Sequence, residues 1–186
     1  VGGNGVKSGL GHAMGSQVGY VADGIFRSQD EIDNHATQEG AALGRIRWKD
    51  LNNDGKITEA DQEWIYDPTP DFTYGFTSNL SWKNFNISFM MQGSQGNDIF
   101  NYNLTDIQMA NIGNITVDAY NSRWTSETAA TAKWPKATAG YTRTWLMSDR
   151  FIENGSYLKM KYITLGYDFV HPTKFIEKIG LTFTAN

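Results

Sequence analysis

The chain has 186 residues and a formal net charge of −4, from 16 Lys and Arg against 20 Asp and Glu. Apolar residues make up 40% and charged residues 19%, which excludes a disordered chain and one basic enough to bind nucleic acid. Cysteine is absent, so disulfides and thiolate metal sites are excluded as well. Aromatic residues reach 13%, with 19 Gly and 4 Pro, and this mix predicts an all-β fold.

The sequence bears on membrane location in two ways. No run of about 18 apolar residues occurs, so a transmembrane helix is excluded, whereas a barrel strand needs only about 9–11 residues of alternating polarity. The residues that follow Val1 lack the charged and apolar regions of a signal peptide. We therefore expect either a cytosolic chain or a piece of a longer protein.

The region before residue 72 is Gly-rich and polar. It predicts a long surface loop over residues 1–71, with one short helix at residues 28–32. Because its apolar residues show no sustained period, we expect few regular elements here.

Within that loop, residues 50–61 (DLNNDGKITEAD) have the spacing of an EF-hand calcium loop. A hard cation takes about 6–8 oxygens, and a chain that turns at Gly55 presents alternate groups to it. The predicted metal ligands are Asp50, Asn52, Asp54, the backbone carbonyl of Lys56, and Asp61.

Two features distinguish this loop from that of a signalling EF-hand. The last ligand is Asp61 rather than the commoner Glu, as in dockerin-type loops, and residues 45–48 resemble a strand rather than an entering helix. We therefore expect structural Ca²⁺ without a helix-opening switch, with a ligand water held by Thr58. The alternative is a metal-free turn, since Asn, Asp and Gly favour turns for their own reasons.

Residues 72–92 predict a hairpin. Phe72, Tyr74 and Phe76 alternate with small polar residues, Lys83 and Asn84 form a tight turn, and the alternation resumes at residue 85. This pattern predicts two strands, each with one apolar and one polar face.

The rest of the chain predicts a long polar connection followed by more strands. Residues 93–149 show no sustained period, residues 156–168 alternate, residues 172–178 suggest a short helical turn, and residues 181–184 begin a fourth strand. In the third strand Lys159 and Lys161 share parity with apolar residues. The two lysines must therefore lie near a membrane rim, or a β-bulge must switch the parity.

The connections are short at one end of the strands and long at the other. Bacterial outer-membrane barrels show this asymmetry, with short periplasmic turns and long extracellular loops. A soluble β-sandwich, with the aromatic face turned into a core, is an equally good interpretation of the alternation by itself.

Several blocks, taken in order, resemble the late barrel of SusC/RagA-type TonB-linked outer-membrane proteins. They cover residues 44–57, 70–76 (PDFTYGF), 89–101, 121–125 (NSRWT) and 149–167. Residues 66–70 (YDPTP) depart from the family's usual Gly-Asn-Pro-x-Pro-like lead-in to the next strand. The family protein is several times longer than this chain.

The resemblance implies antiparallel transmembrane β-barrel strands, part of a larger barrel, in the outer membrane of a Gram-negative bacterium. Residues 72–92 would be a barrel hairpin, 93–149 a long extracellular loop, and 150–186 further barrel strands with a periplasmic helical turn. The implied function is TonB-powered import of an oligosaccharide or peptide, together with a SusD-like surface lipoprotein. Aromatic residues of the long loops are candidates for stacking on sugars, although packing within the loops or contact with the lipoprotein is the simpler role: Tyr102, Trp124, Trp134, Tyr141 and Trp145.

The residues also bear on two other functions. A glycosidase needs two carboxylates across one cleft, but the only regularly spaced carboxylates belong to the calcium loop, and the three His residues accompany no nucleophile motif. We therefore expect no enzyme. A calcium-stabilised soluble β-domain for adhesion or carbohydrate binding is the alternative, and it predicts that the aromatic strand faces are buried.

Overall fold

The computed structural model describes residues 9–109, 114–138 and 146–186, and these residues form mainly antiparallel strands with a few short helices. The described strands are β1 (Gln17–Tyr20), β2 (Ala22–Ile25), β3 (Ile46–Trp48), β4 (Gln62–Tyr66), β5 (Phe72–Trp82), β6 (Phe85–Gln95), β7 (Asp98–Phe100), β8 (Ile152–Asn154), β9 (Tyr157–Thr173) and β10 (Ile176–Ala185). The described helices are α1 (Gln29–Asp33), α2 (Tyr102–Met109) and α3 (Val117–Ser122), with 3₁₀ turns at Glu59–Asp61 and Asp149–Phe151. None of these helices has the length and apolar character that a membrane crossing requires.

The chain divides into two compact units. The first unit comprises Val1–Pro68 and Asp98–Glu153, and the second comprises Thr69–Asn97 and Asn154–Asn186. The second unit holds the long strands that the alternation predicts.

The helix predicted at residues 28–32 is present as α1. The Ser28 hydroxyl accepts a hydrogen bond from the Glu31 backbone N–H at 3.2 Å, which satisfies one of the donors left free at a helix start. Asp30 and Glu31 place negative charge in the first turn, where the helix dipole favours it.

The expectation that residues 1–71 and 93–149 are plain loops is wrong in part. The first unit contains short antiparallel pairs, β1 with β4 and β2 with β3, and a small core built from distant parts of the chain. Its buried members are Tyr20, Ile25, Ile46, Trp48, Trp124 and Ala132. Strands of three to five residues are too short for an alternation to stand out in the sequence, so the periodicity argument missed them.

The second unit is one four-stranded antiparallel sheet in the order β10-β9-β6-β5. The predicted hairpin is confirmed, because β5 and β6 pair without a break from Phe72 opposite Gln95 to Trp82 opposite Phe85. Lys83 takes a positive φ of 54° in the two-residue turn, as the tight hairpin turns require.

The predicted helical turn at residues 172–178 is wrong. β9 continues to Thr173 and β10 begins at Ile176, so a second tight hairpin replaces the helix. The Thr173 hydroxyl accepts hydrogen bonds from the N–H groups of Phe175 and Ile176 at 3.4 and 3.2 Å. Local capping by Thr and continued strand pairing outweigh the weak helical pattern of the sequence.

A β-bulge resolves the parity conflict of the third predicted strand. On β6 the adjacent residues Met90 and Met91 lie opposite Tyr162 and Met160, so Lys161 is an extra residue on β9. One extra residue exchanges the two faces of a strand. Lys159 is therefore opposite Gln92, on the polar face, and the second of the two predicted alternatives, a bulge that switches the parity, is confirmed.

Candidate functional site

The predicted calcium loop closes on itself through side-chain to backbone hydrogen bonds. Asp50 Oδ2 accepts from the Gly55 N–H at 2.9 Å, and Asn52 Oδ1 accepts from the Asp54 N–H at 2.9 Å. Asp54 Oδ1 accepts from the Lys56 N–H at 2.9 Å. These bonds explain why short oxygen-bearing side chains alternate here, since each one holds a turn of the backbone.

Asp61 joins the two ends of the loop. Its side chain is fully buried, and its carboxylate accepts from the Leu51 N–H at 3.0 Å and the Thr58 N–H at 2.7 Å. Burial raises the pKa of Asp61, but the backbone N–H donors lower it more, so the net pKa is below its ordinary value of 3.8. The ionised form is therefore the one that the loop stabilises.

Thr58 caps the 3₁₀ turn at Glu59–Asp61. Its hydroxyl accepts from the Ala60 N–H at 3.2 Å and, with Asp61, forms a capping box on the 3₁₀ turn. That it also holds a metal-bound water stays a prediction. The Thr-x-x-Asp spacing in the sequence is the signal that would have predicted the cap.

Two backbone hydrogen bonds, which the sequence did not indicate, link the loop to residue 37. The Thr37 N–H donates to the Gly55 carbonyl at 2.8 Å, and the Ile57 N–H donates to the Thr37 carbonyl at 3.0 Å. Ile57 also packs against the core of the first unit. The loop is thus connected to that core on one side and to the segment after α1 on the other.

The loop meets only part of the requirement for a metal cage. Asp50 Oδ1 is buried and has no hydrogen-bond partner, which is the environment of an oxygen that a cation could satisfy. However, within residues 9–109, 114–138 and 146–186, no three His, Asp or Glu side chains gather closely enough to hold an ion. Asp54 and Asp61 are each occupied with backbone donors.

The four-stranded sheet has one mainly apolar and one mainly polar face. Residues directly opposite each other in paired strands point to the same side, and Leu181, Tyr167, Phe85 and Trp82 form one such row. The apolar face consists of Phe72, Tyr74, Phe76, Leu80, Trp82, Phe85, Ile87, Phe89, Met91, Leu158, Met160, Ile163, Leu165, Tyr167, Phe169, Ile179, Leu181 and Phe183, together with a few small or polar residues.

This apolar face is exposed in the chain. Trp82 is 69% exposed, Phe183 66% and Leu80 58%, so these side chains do not form the internal core that a soluble sandwich would need. Contiguous exposed apolar surface of this extent marks a protein or membrane contact.

The opposite face carries hydrogen-bonded polar pairs. Asn86 donates to Asp168 at 3.0 Å, and Lys178 pairs with the same carboxylate at 2.9 Å. The Ser88 hydroxyl donates to Asn79 at 2.6 Å. Such a face is suited to water or to a polar protein surface.

The aromatic residues of the long connections differ in their burial. Trp124 is 8% exposed and belongs to the core of the first unit, which agrees with the packing role. Trp134 is half-buried and donates to Asp118 at 3.2 Å, while Tyr102 is exposed. Tyr141 and Trp145 lie outside the described residues.

Comparison with known proteins gives consistent relatives, although no family model matches the chain. TonB-dependent receptor P3 of Formosa agariphila is 34% identical over 92% of this chain, and TonB-dependent receptor P26 of the same organism is 30% identical over 88%. TonB-dependent receptor SusC of Bacteroides thetaiotaomicron is 29% identical over 82%. The chain spans only 14–16% of the length of these relatives.

Solved structures of the RagAB peptide transporter share the fold. One superposes with a TM-score of 0.59 at 16% identity, covering 91% of this chain and 19% of the other. A second, of the RagAB peptide importer in its "closed-closed" state, also gives 0.59, at 17% identity and 92% coverage of this chain. The curated relatives and the RagAB structures therefore agree with the sequence resemblance.

Proposed function

Because this chain belongs to the SusC/RagA type of TonB-dependent receptors, we propose that its second unit is part of the wall of an outer-membrane β-barrel. The observation that supports this most directly is the two-faced sheet. Most rows of paired residues place apolar side chains on one side and small or polar ones on the other. A barrel wall needs this division, because one face meets lipid and the other a polar interior.

The length of the strands supports the same proposal. β5 has 11 residues, and at about 3.3 Å per residue it extends about 33 Å. A tilt of about 45° reduces this to about 23 Å along the membrane normal, close to the apolar band of about 25 Å in such barrels. Phe85 and Tyr167, whose ring centroids are 4.7 Å apart, lie beside Trp82 at one end, where an aromatic girdle belongs.

The open edges of the sheet support a larger barrel. Among the described strands, β5 and β10 each pair on one side only. Unpaired backbone groups cannot face lipid, since each costs several kcal/mol there. We therefore propose that further strands close the barrel. The tight turns at residues 83–84 and 174–175 would be periplasmic, and the long connection from β6 to β9 extracellular.

The whole receptor would import a nutrient that is too large for porins, an oligosaccharide or a peptide, with energy delivered through TonB. A SusD-like surface lipoprotein would act with it on the extracellular side. These proposals rest on the relatives, and they describe a transporter rather than an enzyme. Deletion of the receptor should abolish growth on one such polymer while growth on its monomer is unchanged. Normal growth on every oligosaccharide and peptide tested would overturn the import proposal.

The lipid contact can be tested with single cysteines, because the chain has none of its own. Ile87→Cys lies on the apolar face and Ser88→Cys, the matched control, on the polar face. In outer-membrane vesicles a water-soluble maleimide should label only the second, and a lipid-phase maleimide only the first. Equal labelling of both positions by the water-soluble reagent would contradict the barrel.

We also propose that residues 50–61 bind one structural Ca²⁺ ion through Asp50, Asn52, Asp54, the Lys56 carbonyl and Asp61. The buried, unpartnered Asp50 Oδ1 supports this, and carboxylate oxygens that already accept one N–H keep a second lone pair. The ion would fix a loop that is connected to residue 37 and to the core, and it would contribute no chemistry beyond that.

Titration of the purified protein with Ca²⁺ alone tests the ion. Calorimetry should show one site that is lost in Asp50→Asn and kept in Glu59→Gln, an exposed carboxylate of the same loop. The melting temperature should rise with Ca²⁺, since a ligand that binds only the folded state stabilises it by about 2.7 kcal/mol at 100 times Kd. If the wild type shows no heat of binding, the loop is the metal-free turn.

A further inference from the structure

The first unit contains a cavity of about 400 Å³ at the segment that resembles the family's Arg-Trp-Thr motif. Its lining residues are Arg123, Trp124, Thr125, Ser126, Lys136 and Ala137. The cavity is open to solvent, and its volume is near the lower end of the range of small-molecule sites, roughly 300–1,000 Å³. It is large enough for a single ring-sized group.

The backbone holds the walls of this cavity in place. The Trp124 N–H donates to the Trp134 carbonyl at 2.8 Å, and the Lys136 N–H donates to the Gly44 carbonyl at 2.8 Å. Gly44 has a φ of 79°, and a Cβ there would lie 2.6 Å from the Lys136 Cβ and 2.9 Å from the Trp124 ring. The close approach of Gly44 thus sets the position of both side chains.

Two positively charged side chains line the cavity. Of the residues that the structure describes, no carboxylate forms an ion pair with Arg123 or Lys136. The Arg123 guanidinium stacks 3.9 Å from the centroid of the Tyr120 ring and donates to the Tyr120 carbonyl, which fixes its position. Lys136 Nζ lies 5.5 Å from the centroid of the Trp124 ring. A cavity lined by two cations favours an anion.

The remaining polar groups are suited to hydroxyls. Ser126 is exposed at the cavity wall, and the Thr125 hydroxyl is 2.9 Å from that of Thr128. Trp124 also lines the cavity with part of its indole ring, which gives a sugar ring an apolar surface to pack on. Hydroxyl and indole groups beside two cations match a charged sugar better than a bare ion.

We propose that this cavity binds a sugar unit that carries a carboxylate or sulfate group. Arg123 and Lys136 would bind the anionic group, and Thr125, Ser126 and the indole of Trp124 would contact the ring and its hydroxyls. This site goes beyond the proposed import function, because it can be measured as binding without any transport. Failure of transport would leave the binding result intact, and failure of binding would leave the barrel intact.

The test is a set of titrations of the detergent-purified protein with four probes. They are a trimer of galacturonic acid, the neutral galactose trimer, a diaspartate peptide and sodium sulfate. The acidic trimer should bind, and the neutral one should bind at least about tenfold more weakly, the size expected for loss of a hydrogen bond to a charged group. Affinity for the acidic trimer should fall as salt is raised.

Variants complete the design. Lys136→Gln and Arg123→Gln should each weaken binding of the acidic trimer by about tenfold, whereas Lys133→Gln, an exposed lysine outside the cavity lining, should not change it. Lys136 is itself exposed, so its replacement tests the charge without removing a buried contact. Equal binding of the two trimers, tighter binding of the peptide, binding of sulfate only, or no effect of Lys136→Gln would each overturn the proposal.

Discussion

Placing an arginine at the centre of the sheet distinguishes a lipid-facing wall from a water-facing one. Met90 and Met91 are neighbours on β6, and both are half-buried. Met91 is opposite Met160 on the apolar face, whereas Met90 is opposite Thr77 on the polar face. Met91→Arg and Met90→Arg are therefore the same chemical change on opposite sides of one strand.

The expected magnitude follows from their depth. Met91 is paired with Phe76, about midway along β5, which places it near the centre of the proposed apolar band. An arginine on the lipid face costs about 2–4 kcal/mol at the midplane and about 0–1 kcal/mol near the interfaces. Met91→Arg should thus lower the folding equilibrium constant by about 30- to 700-fold, and Met90→Arg should have a much smaller effect.

The assay is equilibrium unfolding in guanidinium chloride of protein reconstituted into phospholipid vesicles. A shift of the midpoint at constant slope reports the change in stability. Trp82→Arg, at the end of the strand, serves as the depth control and should cost about 0–1 kcal/mol. If Met90→Arg destabilises the protein as much as Met91→Arg, the assignment of the two faces is refuted.

Two further changes test the loop and the packing of the strands. Because the pKa of Asp61 is lowered in the folded chain, its ionised form contributes stability above its unfolded pKa, and this is lost as the pH falls through the lower folded value. Asp61→Asn should remove that stability at neutral pH and flatten the acid-induced loss below about pH 3.8. If Asp61→Asn lost stability at acid pH as steeply as the wild type does, this role of Asp61 would be contradicted. Gly93→Ala should cost about 1–3 kcal/mol, because the new Cβ would lie 2.3 Å from the Tyr74 ring and 2.5 Å from the Tyr157 carbonyl. Gly75→Ala is the matched control, because the nearest atom to its new Cβ would lie 3.8 Å away. Equal denaturation midpoints for Gly93→Ala and Gly75→Ala would contradict the close packing at Gly93.

The long strands were predictable from the sequence, and the first unit was not. β5 matches its predicted bounds because eleven alternating residues carry a clear period of two. β3 has only three residues, and Trp48 is buried by partners as distant in the sequence as Trp124. A contact between residues so far apart in the sequence produces no local pattern. The core of the first unit is therefore seen only in the structure.

The candidate sites were likewise predictable only where they depend on local spacing. The sequence identified the turn residues of the calcium loop, because Gly55 and the alternating oxygens follow a fixed spacing, but it could not place Thr37 beside them. The cavity at Arg123 was also missed. Lys136 reaches it through a bond to Gly44, 92 positions away, and nothing in the spacing of either residue indicates that contact.

The discontinuous core of the first unit has a consequence for the order of folding. The hairpin of β5 and β6 closes through a two-residue turn, which costs little chain entropy. The Ala22 N–H donates to Asp149 across 127 positions, and closing so long a loop costs more entropy and takes longer. We therefore expect the hairpin to form while the first unit is still open. The first unit can complete its core only after the chain has emerged beyond the hairpin.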